Sequence, residues 1–201
     1  MPKIMAGNLA DHRQLVRGSL LDALDELLDE REYDRITLTD VAARAGVARN
    51  TIYNYAPDKA SLLLAAVRRS TDQIEQQVEA LAQACHLSAA ERLTNVIAFL
   101  LTSFTKGTHR VFVLQAQVGS LEVKDQAIAV DSINAVQSHI TLVLEQGVRT
   151  GEFRASSSAS LELAFISGVM AAAVRQMALD PARTAQAVSE ATAFILRAVQ
   201  T

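Results

Sequence analysis

The sequence predicts an all-α protein in which a small helix-turn-helix unit of three helices is joined by one long helix to a larger helical domain. Three observations carry that prediction. Half of the 201 residues are hydrophobic, yet only 4% are aromatic and three are proline, a composition that favours helices. Apolar residues recur at helical spacing over long stretches instead of alternating. Within this pattern lies one stretch, Ile36 to Lys59, where two short helical segments are broken by a glycine.

Taken in order, residues 1–9 offer little to pack and read as a loose lead. From about Asp11 to Glu32, Val16, Leu20, Leu24 and Leu27 fall on one stripe that Leu21 and Leu28 widen, which predicts an amphipathic helix. Tyr33 and Ile36 follow as anchors for this helix against the next two. Thr37 followed by Asp40 fits a capping box, with Asp in place of the usual Glu or Gln, so a helix starts there. Val41, Ala42 and Ala45 give it an apolar face. Gly46 supplies the positive φ with which a chain leaves a helix.

A second helix over Arg49 to Tyr55 buries Ile52 and turns Arg49, Asn50, Thr51, Tyr53 and Asn54 outward, because only one stripe of so short a helix can face a core. Pro57 disfavours helix at Ala56, and Asp58 caps a third helix whose first turn carries Lys59. A lysine beside free helix-terminal N–H groups makes a phosphate seat. This corner therefore has the equipment to meet a polyanion. The competing reading is a pair of surface helices without a partner.

The helix from Asp58 runs toward Cys85 with Leu62, Leu63, Ala66, Val67, Ile74, Val78 and Leu81 in register, a rod on the order of 40 Å. It sets the expected domain boundary, residues 1–57 before it and 58–201 from it onward. Ser88 caps a helix through Leu93, Val96, Ile97, Leu100, Leu101 and Phe104 that ends near Gly107. The dense segment Val111 to Val118 is read as a buried helix, since no second strand exists to pair it. Another long helix covers Val123 to Thr150 and is closed by Gly151. Ser156 to Ser160 leads into a cap for a helix from about Ala159 to Leu179, where Ala164, Gly168 and Ala172 stand four apart. Asp180-Pro181 starts the last helix, with Val188, Ala191, Ile195 and Ala198 on an a/d-like stripe. The shared small-residue face predicts self-association as a four-helix bundle across a two-fold axis, the alternative being packing inside the monomer.

Charge and cysteine narrow the function classes. Net charge is −3, and residues 1–70 hold ten Lys/Arg against ten Asp/Glu. A DNA reader built this way must place its few cations well. Cys85 is alone, which excludes an internal disulfide, suits a reducing compartment and predicts a small core hydrophobe. No apolar run approaches ~20 residues, so the expected location is the cytoplasm, away from membranes. No glycine-rich phosphate loop or nucleophile motif occurs, and His12, His86, His109 and His139 lack metal-ligand spacing, so neither an enzyme, a cofactor nor a metal is expected.

The residues from Leu21 to Arg69 carry a family likeness. Amphipathic helix, capped helix, Ala-Gly-Val turn, Thr-Ile-Tyr-x-Tyr and Pro-x-Lys arrive in order without a gap, and the segment resembles the N-terminal DNA-binding domain of the TetR family of transcriptional regulators. Glu145 to Arg154, EQGVRTGEFR, is also similar to that family. The resemblance implies DNA contacts from Thr37 and Thr39 on the first helix and from Arg49, Asn50, Thr51 and Asn54 on the recognition helix. Tyr53 and Lys59 match the family's backbone-clamping pair, with Tyr55 as helper. Chemically, Arg49 can read guanine, Asn50 or Asn54 adenine, and Thr51 a thymine methyl. Three departures stand out: Ala48 where an N-cap Ser is frequent, Asn50 for a common glycine, and Ala56 for a bulky aromatic that packs the small domain.

The resemblance further implies a homodimeric repressor that a small, largely apolar ligand releases from a palindromic DNA operator. Candidate pocket residues are Phe99, Phe104, Phe112, Gln115, Met170 and Met177, with His109, Arg110 or Arg175 as polar handles, although residues of each kind are more often plain core or surface. Candidate dimer residues are Ala164, Gly168, Ala172, Val188, Ala191 and Ile195. The rival class to a regulator is a helical adaptor that turns the same motif toward a protein.

Overall fold

A computed structural model describes the backbone of residues 6–105, 107 and 123–201 and the side chains of 11–105, 107 and 134–201. Among the described residues there are eight α-helices: α1 (Ala6–Glu30), α2 (Leu38–Arg44), α3 (Arg49–Ile52), α4 (Lys59–Ala82), α5 (Ala89–Ser103), α6 (Val123–Thr150), α7 (Ala159–Leu179) and α8 (Thr184–Val199). Short 3-10 turns cover Tyr33–Arg35 and Pro181–Arg183, and no strand occurs among the described residues beyond one isolated bridge, Phe153 to Gln200. The all-α class is as the sequence predicts. The segment Val111 to Val118 lies outside the described residues.

The chain divides into two compact units between Ser70 and Thr71, within α4. In the first, Leu20, Leu24, Leu27 and Leu28 of α1, Ile36, Val41 and Ala42, Ile52, and Leu62, Leu63, Ala66 and Val67 of α4 form one buried cluster. These are the residues whose helical spacing marks an apolar stripe, so local pattern and packing agree. Charged pairs brace its outside. Arg44 of α2 forks onto Glu30 at 2.8 Å and reaches Glu26 at 3.2 Å, and Arg69 of α4 meets Asp22 at 2.8 Å and Asp25 at 3.3 Å on α1.

Helix ends depart from the sequence reading in four places. α1 begins at Ala6, inside the stretch expected to be a loose lead. α3 closes after Ile52, three residues early, because the approach to Pro57 leaves room only for tight turns, Asn54 N–H to Thr51 O at 3.1 Å and Tyr55 N–H to Ile52 O at 2.9 Å. α4 stops at Ala82, so Cys85 lies in the turn that follows and is exposed, not a core residue. The last helix is preceded by a separate 3-10 turn at Pro181.

The second unit is built around α5, which packs against α6, α7 and α8. Ser88 caps it with a full capping box to Glu91, and the hydrogen bonds from the Ser88 backbone and hydroxyl hold the Glu91 carboxyl below the usual carboxylate range. Arg92 is buried behind this cap and donates to Ala82 O at 3.0 Å and to the Gln146 side-chain oxygen.

The EQGVRTGEFR segment turns out to be a clasp. Gly151 takes φ +79° after α6, and the Glu152 carboxylate then accepts the Ala89 and Ala90 N–H groups at 3.1 Å each, two orphan donors at the start of α5. Those bonds depress the Glu152 pKa. Phe153 is buried against Gly147, where an added Cβ would lie 2.1 Å from the ring, and Arg154 reaches the end of α8 through Val199 O and Ala198 O at 2.9 and 2.6 Å. Its residues fasten three helix ends.

Candidate functional site

The site is the corner made by α2, α3 and the start of α4. Thr37 caps α2: its hydroxyl accepts Asp40 N–H at 3.2 Å and donates to Asp40 Oδ2 at 2.7 Å, while its own N–H donates to the same oxygen at 2.9 Å. The Thr37 side chain and backbone hold the Asp40 carboxyl below its ordinary range. The hydroxyl of Thr37 is thereby engaged in the cap of α2, at the exposed start of that helix. Thr39, one turn in, is exposed.

Gly46 takes φ +66° and lets the Val47 N–H return to Ala42 O at 2.8 Å, which sets the angle at which α3 leaves α2. On α3, Ile52 is fully buried, Arg49 and Asn50 are exposed and Thr51 is half-buried, and in the turn that follows Tyr53 and Asn54 are exposed. One side of this short helix is core and the other is a row of hydrogen-bonding groups. Ala48 occupies the N-cap without a side-chain hydrogen bond, as its methyl requires. Ala56 is buried at 2%, and Tyr33 and Tyr55 pack against the same cluster, so the space of the missing aromatic is shared by its neighbours. Tyr55 is consequently half-buried and an anchor, whereas Tyr53 is 51% exposed and available.

Asp58 accepts Ser61 N–H at 2.6 Å and starts α4 as expected. Lys59, the first residue of that helix, does not hang in solvent. Its ammonium donates to Tyr33 O at 2.9 Å and sits 4.2 Å from the centroid of the Tyr33 ring. Burial first, then the charges of Asp34 and Asp58, raise the Tyr33 pKa.

Of the other candidate residues, Phe99 on α5 and Phe104 at its C-terminal end are half-buried, Met170 and Met177 are buried on α7, and Arg175 is exposed. His109, Arg110, Phe112 and Gln115 lie outside the described residues. Among the dimer candidates, Ala164 and Gly168 are exposed and Ala172 and Val188 half-buried, but Ala191 and Ile195 are buried within the unit at 7% and 1%. These two belong to the core of the unit, in which α8 packs against both α5 and α7.

The outward face belongs instead to Leu161, Phe165 and Leu179 of α7 and Phe194 of α8, exposed at 57%, 70%, 74% and 55%. Leu161, Phe165, Phe194 and Ala198 line a groove of about 240 Å³ that also takes in Arg154 and Glu162. Contrary to the expectation from the sequence, α7 is long and apolar enough to cross a bilayer, its best window having mean hydropathy 1.3 with 28% buried. The sequence reading missed these large residues because it weighed small-residue spacing over outward bulk.

Comparison with known proteins agrees with this geometry. A family model for bacterial regulatory proteins of the tetR family matches residues 20–66, and one described as the tetracyclin repressor-like C-terminal domain matches residues 86–176. The HTH-type transcriptional regulator AlkX of Mycobacterium tuberculosis is 41% identical over 68 residues, 34% of this chain and 32% of that protein. EthR of the same species is 33% identical over 73 residues, 36% and 32% of the two chains. The match thus spans about a third of the length of these curated relatives. Among solved structures, reduced NemR of E. coli superimposes with TM-score 0.75 at 19% identity, covering 92% of this chain and 98% of the other. FadR of Bacillus subtilis, in complex with stearoyl-CoA, gives 0.65 at 19% identity, covering 87% and 96%. At those identities the likeness is one of fold.

Proposed function

Because this chain belongs to the tetR family of bacterial regulatory proteins, we propose that it is a DNA-binding transcriptional regulator, a homodimeric repressor that leaves a palindromic operator when a small, largely apolar ligand binds. One observation carries the reading: Arg49 and Asn50 on α3 and Tyr53 and Asn54 in the turn after it expose hydrogen-bonding side chains, with Thr51 half-buried, while Ile52 is buried in the core. Arg49 reads guanine and Asn50 or Asn54 adenine at base edges, and Thr51 meets a thymine methyl. Thr39, Tyr53 and Lys59 hold phosphates and set the register. Thr37 and Tyr55 serve by fixing the helices that carry those groups.

Residues 1–57 act as the DNA-binding domain, closed by the start of α4, and residues 58–201 as the ligand-binding and dimerisation domain. Leu161, Phe165 and Phe194 make the dimer seam together with the small residues Ala164, Gly168 and Ala172, since a surface this apolar is stable when a second copy covers it. Two copies present two recognition helices to half-sites about 34–36 Å apart. The ligand and the operator must weaken each other equally, by linkage. The acyl chain of FadR's stearoyl-CoA is the kind of group, long and apolar, that Phe99, Phe104 and Met170 would suit here. The protein works in the cytoplasm, with its DNA.

The test is selection of bound duplexes from a random pool by the purified protein, repeated with long-chain acyl ligands. A recovered palindrome whose enrichment falls with ligand is expected. Absence of salt-dependent binding to any duplex would overturn the reading.

A further inference from the structure

We propose that Tyr33 is a positioning residue for DNA binding: it latches the Lys59 ammonium in the place where a phosphate is met. This rests on the reading that Lys59 holds a phosphate. Tyr33 lies in the 3-10 turn Tyr33–Arg35, four residues before the cap of α2, and Lys59 is 26 positions further on, at the first residue of α4. Two groups of Tyr33 grip the same nitrogen. The carbonyl accepts an N–H at 2.9 Å, and the ring face lies 4.2 Å below it.

An ammonium has three N–H donors, arranged tetrahedrally. One is spent on the carbonyl and the positive charge rests on the ring, so the donor directed away from both remains for an incoming anion. A free lysine carries the rotamer entropy of a four-carbon stem and loses it on binding. Here that loss has been taken on folding, and phosphate meets a cation already in place. The Tyr33 carbonyl also accepts Ile36 N–H at 3.1 Å, which ties the latch to the strand of backbone leading directly into Thr37. Tyr33 thus fixes the start of α4 against the start of α2, the two helix ends proposed to straddle the backbone. Nothing in the sequence spacing of residues 33 and 59 announces this pair.

The alternative, that the ring sequesters Lys59 from DNA, predicts the opposite sign. The experiment uses the full chain and a fluorescent 30-base-pair duplex of random sequence, titrated from low to high salt, with thermal melting of each variant alongside. Lys59→Ala should weaken binding and lower the salt slope by about one per protomer. Tyr33→Leu should weaken binding about two- to five-fold per protomer in the wild-type background and have no effect in the Lys59→Ala background. Tyr33→Phe, which keeps the ring, should rescue it. Should Tyr33→Leu not fold, pentafluorophenylalanine at position 33 keeps the ring shape while removing its negative face, and should give the same loss.

If Lys59→Ala leaves both affinity and salt slope unchanged, the phosphate reading of Lys59 fails, and the latch with it. If Lys59→Ala weakens binding but the Tyr33 variants strengthen it, leave it unchanged, or weaken it equally in both backgrounds, the latch alone is overturned.

Discussion

The corner at α2 and α3 and the outer face of α7 and α8 present opposite kinds of surface. The corner is small, polar and held by short-range devices: a capping box at Thr37, a left-handed glycine at Gly46, one buried isoleucine. The outer face carries large apolar side chains, with Phe165 and Leu179 each at least 70% exposed, beside Arg154 and Glu162. One surface is finished in the monomer and offers specific donors and acceptors; the other is unfinished and offers only area. The difference teaches that a polar corner can be shaped largely by local rules, while an apolar face without a partner is visible as a deficit of burial.

That contrast breaks most sharply if the apolar face is spoiled. Phe165→Glu leaves the monomer core untouched, because Phe165 is outside it, and should convert dimer to monomer by sedimentation at micromolar concentration. Operator affinity should then fall on the order of 100-fold or more, since the second half-site no longer binds intramolecularly. A variant that stays dimeric would place the seam elsewhere. Lys59→Glu attacks the other surface. It should weaken duplex binding about ten-fold per protomer with sedimentation unchanged, as expected when a phosphate contact turns repulsive; an adaptor acting through protein would keep its partner.

Smaller effects sharpen the comparison from inside each unit. Gly147→Ala drives a methyl group into the Phe153 ring and should cost about 1–3 kcal/mol in denaturant unfolding. Thr37→Ala removes the cap of α2 and should cost about 1 kcal/mol, and its DNA affinity should fall only as far as that helix frays. The smallest change comes in acid. Asp40, Glu91 and Glu152 all have folded-state pKa values below the ordinary carboxylate range, through the bonds they accept from Thr37, Ser88, and Ala89 with Ala90. Their stabilisation is therefore complete above the unfolded value of ~4 and is lost as pH falls through the lowered folded values. Melting temperature measured from pH 6 downward should be flat until ~4 and decline below it, and a flat profile to pH 2 would show that these caps contribute nothing.

The sequence by itself determined much of what depends on near neighbours in the chain, though not where each helix ends. The apolar stripes of α1 and α4, the capping boxes at Thr37 and Ser88, the turn at Gly46 and the outward row on α3 follow from spacings of three or four residues and from the backbone preferences of single residue types. The tertiary structure decided what depends on partners distant in the chain. Lys59 is gripped by a tyrosine 26 residues away, Glu152 caps a helix that starts 63 residues earlier, and Ala191 and Ile195 are buried while Phe194 between them faces out. Helical periodicity specifies that a helix has two faces. Which of them is covered is set by packing, because the rotation of a helix about its axis is chosen by the elements it meets and not by its own sequence alone.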